Sequence, residues 1–334
     1  MRYSGVGGQA VMEGVMMKNK DRYAIAVRKP DREIDVKVHT YGGPADQSIW
    51  RRIPIIRGVV NFIDSLYLGM STLMYSASFF EEEEEEKQKK AQEQQEMTQE
   101  ERAAYEKKEA KKDKAMMGGT LVFSLVLALA IFFALPYFLS ALFRKVIDSS
   151  VLIALIEGII RMVIFIGYIV AISFMPDIRR VFMYHGAEHK CINCIEHGME
   201  LNVENVRKSS RLHKRCGTSF LLIVMIVSII FFMFIQVDSK ILRLVLRLAL
   251  IPVIAGVSYE FIRLAGRYDN AFVNVLSAPG LLMQKLTTSE PDDGMIEVGI
   301  ASVNAVFDWK AWQKEEQVLK DNADTPHGEA VTEE

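Results

Sequence analysis

Between Tyr184 and Cys216 the chain reads YHGAEHKCINCIEHGMELNVENVRKSSRLHKRC, which holds four of the six histidines and all three cysteines. Within it His185, Glu188 and His189 form H-x-x-E-H, the inverted zincin pattern. Residues four apart on a helix lie about 40° apart around its axis, so these two imidazoles share a face and can share one metal. Ile178, Val181, Phe182, His185, His189 and Ile192 keep a helical stripe, with Pro176-Asp177 at its start and Gly198 as terminator. Alone, such a histidine pair reads as ordinary packing. Glu188 beside it, and His213 and Cys216 downstream, shift the balance toward metal.

His213 and Cys216 stand one helical turn apart, just before an apolar run. If the loop folds back over the membrane surface, they can join His185 and His189. Two or three nitrogens with one thiolate suit zinc, with iron or another divalent metal next. Glu188 is then the natural general base, and Glu204 a second carboxylate able to bind metal or orient a histidine. Three protein ligands leave room for water, whereas four would close the site. Cys191-x-x-Cys194 lacks both a thioredoxin-like setting and a second C-x-x-C, so it reads as coincidence. His39 and His197 have no matching partner.

The elements that must position these residues belong to a membrane protein. The 334 residues are half hydrophobic, with a formal net charge of -2, but apolar runs alternate with dense charge. Gly118–Phe143, Val151–Met175, Thr218–Val237 and Ile241 to about Leu264 are each long enough to cross a bilayer. Short connections at 144–150 and 238–240 make them two helical hairpins. The loop from Pro176 to Gly217 carries Arg179, Arg180, Lys190, Arg207, Lys208, Arg211, Lys214 and Arg215, far more than the opposite side. The positive-inside rule therefore places that loop and both termini in the cytoplasm of a multi-pass inner or plasma membrane protein. Glu157 and Arg161 can pair on one face. Lys240, Arg243 and Arg247 can snorkel outward, and Glu260 and Arg263 can pair or face the site.

The remaining segments read as accessories. Residues 1–57 form a small β element, with a glycine loop at Gly5, Gly7 and Gly8 leading to a strand through Gln9-Ala10-Val11. A hairpin pairs Tyr23–Val27 with Ile34–Val38. No phosphate-binding fingerprint accompanies the glycines, and no cleavable signal is visible. Residues 58–115 comprise an interfacial or re-entrant helix followed by a charged helix with Glu83–Lys87 and Glu86–Lys90 pairs. The spans occupy 118–175 and 218–264, flanking the loop at 176–217. Residues 265–312 hold C-terminal helices, broken at Ala278-Pro279-Gly280 and restarted by an acidic Ser289–Asp293 cap. Leu281, Leu282 and Leu286 rest on the membrane surface. Residues 313–334 read as a disordered tail. Three cysteines in a cytosolic loop argue against disulfides, and the charge balance against nucleic-acid partners.

GGQAVMEGVMMK at Gly7–Lys18, YHGAEHK at Tyr184–Lys190 and LNVENVRKSS at Leu201–Ser210 resemble the YqhQ-like family of bacterial membrane proteins. RLHKRCGTSFL at Arg211–Leu221 and PGLLMQKLTTSEPDDGMIEVGIASV at Pro279–Val303 extend the resemblance over nearly the whole chain. It implies a metal-dependent enzyme and carries over onto His185, Glu188, His189, His213 and Cys216, whereas Cys191 and Cys194 depart from the pattern. The expectation is a mainly α polytopic membrane protein, with about four transmembrane helices, one interfacial helix and a small N-terminal β element. Its leading function is metal-dependent hydrolysis of a membrane-associated lipid or peptide. The alternatives are a scaffold that binds cytoplasmic proteins around a structural metal and, less favoured, a transporter with a polar path through Glu157, Arg161 and Glu260.

Overall fold

The computed structural model describes residues 3–41, 49–80, 99–213, 215–235, 237, 239–267 and 271–324. The chain is mainly helical, with a four-stranded antiparallel sheet at its N-terminus in the order β1-β2-β3-β4. β1 spans Val6–Val11, β2 Gly14–Asn19, β3 Arg22–Arg28 and β4 Ile34–Thr40. The β3–β4 hairpin matches the sequence expectation. The β1–β2 hairpin goes beyond it, because its turn at Met12-Glu13 carries no glycine or proline and instead holds Glu13 at φ 49°.

Side-chain alternation gives the sheet two dry faces. Val6, Val15, Met17, Ala24 and Ala26 lie in one core cluster. Val11, Met16, Ile25 and Val27 lie in another, against Leu68 of the next helix. That helix, α1 (Ile56–Ala77), approaches a later helix so closely that a side chain at Gly58 would meet the Gly256 backbone at 2.9 Å. Its outer face leaves Ile63, Leu66, Tyr67 and Met70 exposed. The charged pairs at Glu83–Lys87 and Glu86–Lys90 lie outside the described residues.

Among the described residues, four stretches are long and apolar enough to cross a membrane: Gly118–Lys145, Ser150–Ser173, Gly217–Phe234 and Ile241–Leu264. The first lies on a continuous helical rod made of α2 (Gln99–Leu129), a π-helical turn (Ala130–Ala134), α3 (Leu135–Ala141) and a 3-10 turn (Leu142–Lys145). α4 (Ser150–Ser173) returns antiparallel to it. After α5 (Pro176–Glu196) and α6 (Val203–Lys208), α7 (Gly217–Phe234) and α8 (Lys240–Arg267) make the second hairpin. Glu157 pairs with Arg161 at 2.9 Å, as the sequence suggests. Arg247 does not snorkel outward. It reaches inward to Glu157, with Nη2–Oε2 at 3.0 Å, since the carboxylate offers a buried cation more than a long route to water. The π turn presents the Phe132 carbonyl to Arg161 Nε at 3.0 Å. Glu260 pairs with Arg57 and, as the sequence suggests, with Arg263 at 3.9 Å.

Two C-terminal expectations are corrected. α9 (Ala271–Thr287) runs through Ala278-Pro279-Gly280 without breaking. A side chain at Gly280 would meet Ser219 Oγ at 2.8 Å, so this small residue serves close packing on α7. Asp292 caps α10 (Asp293–Val306) by accepting from Met295 N at 2.8 Å, as the acidic cluster predicts. α11 (Trp309–Asp324) then continues past Trp312, where the sequence reads as a tail. The cause is tertiary: Trp312 is buried, and Gln313 Nε2 donates to the carbonyls of Ile195 and Met199 at 3.0 and 2.9 Å. Residues 325–334 lie outside the description.

Candidate metal centre

Helix α5 is built from recognisable local signals. Pro176 sits in its first turn beside Asp177. At its end Gly198 adopts φ 75°, which lets Met199 N donate to the Cys194 carbonyl at 3.1 Å. From Tyr184 onward the helix is almost wholly buried, enclosed by the sheet and α10. Ala187, Cys191, Ile192 and Ile195 pack there against Val298 and Val303, each large aliphatic side chain contributing about 1.5–3 kcal/mol.

The polar stripe of α5 faces the segment before α7. His189 Nδ1 lies 2.6 Å from the Arg211 carbonyl and His185 Nδ1 2.8 Å from the Thr287 carbonyl. A carbonyl only accepts, so Nδ1 of each ring is the donor and Nε2 is the nitrogen left to face a ligand. The rings lie 4.4 Å apart, centroid to centroid. Cys216 Sγ stands 3.2 Å from His185 Nε2, and the donor atoms of His185, His189 and Cys216 all lie within 4.8 Å of one another. Ligands sharing a tetrahedral zinc are about 3.5 Å apart, given bonds of about 2.0–2.3 Å, so this buried group can bind a metal after small adjustments. The Nδ1–carbonyl bonds are the outer support that holds metal-ligating imidazoles in orientation. Cys216 is also the N-cap of α7, its sulfur accepting from Thr218 N at 3.4 Å.

His213 does not join the group. Its Nε2 faces the Arg215 guanidinium at 3.2 Å, with a Glu196 oxygen at 3.5 Å. A guanidinium only donates, so it occupies the lone pair that a metal would need. Burial holds His213 below its ordinary pKa, helped by Arg215 and opposed by Glu196. Arg215 is therefore the cation that pairs with Glu196, at 2.6 Å. Burial raises the Glu196 carboxyl, but the neighbouring His213, Arg215 and the Ser4 N–H outweigh it and bring it down to about 2. Gln284, fully buried on α9, grips both backbone groups of His213, accepting from its N–H at 2.8 Å and donating to its carbonyl at 2.7 Å.

Glu188 is buried beside the three donors, its Oε2 3.9 Å from His185 Nε2. Burial pushes its carboxyl up to about 7, against the opposing pull of His185 and the Gly8 N–H. Glu204, by contrast, is exposed and pairs with Lys208 at 2.7 Å, because it lies on the outer face of α6. Cys191 and Cys194 are buried thiols whose pKa burial raises, Cys194 to about 11. Cys191 packs against Gly299, so the C-x-x-C pair is core. His39 stacks on Tyr23, and His197 Nδ1 bonds the Asn193 carbonyl.

Sequence reasoning missed Glu196, Arg215, Gln284 and Thr287. Glu196 carried a signal, since it follows His189 by two helical turns on the same face. The α9 residues carried none, being ordinary polar positions in an apolar run. His185, Glu188, His189 and Cys216 border a cavity of about 120 Å³. A larger cavity of about 640 Å³ shares with it Tyr3, Gly7, Gly8, Arg215, Cys216 and Gly217.

No solved structure matches the chain. The Uncharacterized protein YqhQ of Bacillus subtilis (strain 168) is 36% identical over 313 residues, covering 93% of this chain and 95% of that protein. Residues 53–309 match the model of a family described as a protein of unknown function, DUF1385, and with a relative so similar over nearly its full length the chain belongs to this YqhQ-like family.

Proposed function

We propose that the protein is a metal-dependent membrane enzyme, a hydrolase working at the cytoplasmic face. Its metal ligands are His185, His189 and Cys216, and its general base is Glu188. One observation carries this reading. Three donors suited to zinc converge from two separate elements, with a buried carboxylate beside them and a cavity in front. Three protein ligands are the number at which catalytic zinc sites keep a position open.

Zinc there, or iron or another divalent metal, would supply a Lewis acid that polarises a carbonyl or phosphoryl oxygen and makes water more acidic. The protein's residues do the rest. Thr287 and Arg211 fix both imidazoles through their Nδ1 protons. Glu188, shielded from bulk solvent and with its carboxyl near 7, takes a proton and returns it to a leaving group. Its Gly8 contact aims it.

The Cys216 cap favours a second reading, in which the metal staples the loop to α7 and the protein is a scaffold for partners. Elemental analysis of detergent-purified protein, beside a His185→Ala/His189→Ala variant, tests for the site. About one zinc or iron per chain, lost in the variant, supports it. Wild type prepared without chelators yet metal-free would sink it. Glu188→Gln then separates the readings. An enzyme keeps its metal and loses about 100-fold or more in turnover, as removal of a general base does. A staple leaves this variant indistinguishable from wild type in metal content, melting and function.

A further inference from the structure

We infer that residues 49–77 form a re-entrant wedge, and that its partner is the acyl region of the bilayer leaflet on the side of the candidate metal centre. The chain reverses at a tight turn. Ile55 has φ 68° and ψ -54°, and Ile56 N donates to the Pro54 carbonyl at 2.8 Å, which makes a γ-turn of the strained hand. A β-branched residue holds that conformation only where its surroundings compensate. Here they do, because Ile55 fills a notch in α8: a side chain at Gly256 would meet the Ile55 carbonyl oxygen at 2.5 Å.

The notch fixes the depth of the turn. Gly256 belongs to the membrane-length stretch Ile241–Leu264 and lies about 12 Å along the helix from its end at Leu264. From there α1 climbs beside α8 toward that end, with Asn61 Nδ2 donating to the Tyr259 hydroxyl at 2.8 Å. Its far end meets the sheet, where Thr72 accepts from Gln9 at 2.6 Å and Ser76 from Met12 N at 3.1 Å. A helix lying flat on the membrane surface would not bring Ile55 to that depth.

Polar groups inside a leaflet must be satisfied by the protein, and on the inner side of α1 they are. Arg57 pairs with Glu260, and the Thr72 and Ser76 hydroxyls donate to the Leu68 and Leu73 carbonyls. The outer side differs. Ile63, Leu66, Tyr67, Met70, Leu73 and Met74 are exposed at helical spacing over an arc of about 120°, and α1 places no charge within it. Before the turn Ile49, Trp50 and Ile53 are exposed as well. Arg52 is exposed there too, on a stem long enough to carry its charge up to the headgroups. Because α1 packs on a membrane-length stretch, the acyl chains that surround α8 at that depth also surround the outer face of α1.

The test uses full-length protein in nanodiscs, comparing phosphatidylcholine with phosphatidylcholine brominated midway along its acyl chains, which quenches tryptophan within the leaflet. Trp309 and Trp312 are buried, so Trp50 is the tryptophan that lipid reaches. Brominated lipid should remove up to about a third of the emission, Trp50 being one of three tryptophans, and Trp50→Phe should abolish that loss. In the Trp50→Phe background, Ile63→Trp should restore the quenching, and Met74→Trp, nearer the sheet, should restore less. Both positions are exposed, so the new rings displace no packed neighbour. Quenching of Trp50 or of Ile63→Trp by aqueous iodide and not by brominated lipid would overturn the proposal. Protection from both quenchers would overturn it too, since a second copy or another protein would then cover the face. Metal content does not enter these readings, so the wedge stands or falls apart from the hydrolase.

Discussion

Glu196 shows how one buried carboxylate organises this site without touching the candidate metal donors. It accepts from Ser4 N–H and Oγ at 3.0 and 2.8 Å and pairs with Arg215, tying the start of the sheet to the loop before α7. Its folded carboxyl lies near 2 against an ordinary 4.5. A depressed carboxylate contributes stability that is fully present above the ordinary value and is lost as pH falls through the folded one. Between about pH 5 and pH 2 the protein should therefore lose on the order of 3 kcal/mol from this group. Glu196→Gln should lower stability at neutral pH and flatten that acid limb, read as melting temperature against pH. A variant as acid-sensitive as wild type would show that other carboxylates set the limb. His189 was legible on its helical stripe, whereas Glu196, two turns further along the same face, was missed. The exclusion of His213 was not legible, because it depends on where Arg215 points.

Among the elements, α5 and the strap leading from α9 to α10 are coupled by contact too close for a side chain. At Gly186 an added Cβ would lie 2.0 Å from the Ser289 carbonyl, and Ser289 N donates to the Phe182 carbonyl at 2.8 Å. The strap continues directly from Thr287, the last residue of α9, whose carbonyl orients His185. Gly186→Ala must push the strap away, costing about 1–3 kcal/mol as overpacking does and releasing the imidazole. The expected result is a lower melting temperature together with zinc affinity weakened by about tenfold or more, the cost of losing an outer-shell partner. Weakened stability with zinc affinity unchanged would mean that the strap does not position His185. Helix α5 was readable from its proline, stripe and glycine. The reach of α9 was hidden behind Pro279-Gly280, which looks like a stop until Ser219 is seen beside it.

At the scale of the whole molecule, the sheet, α1, α5 and α10 gather at one end of the membrane-length helices. The ends at Ser173, Gly217 and Leu264 all lie toward the site. From the lysines and arginines of 176–217 we propose that this end faces the cytoplasm. Alkaline phosphatase fused after Asp148 should be active and, fused after Glu334, inactive. The reverse pattern would put the site on the outer face and refute a cytoplasmic hydrolase.

The sequence alone determined the four membrane-length helices, the β3–β4 hairpin, α5 and the candidacy of His185, Glu188, His189 and Cys216. Those depend on hydropathy and on periods of two and 3.6 residues, which neighbours in the chain impose on one another. Tertiary structure alone decided that Cys216 meets the histidines while His213 turns to Arg215, that Glu204 faces solvent and that Arg247 reaches Glu157. It also decided that α11 continues past Trp312. Each is a contact between residues distant in sequence, or a burial imposed by a remote element, and no local period encodes which of several chemically adequate partners arrives first.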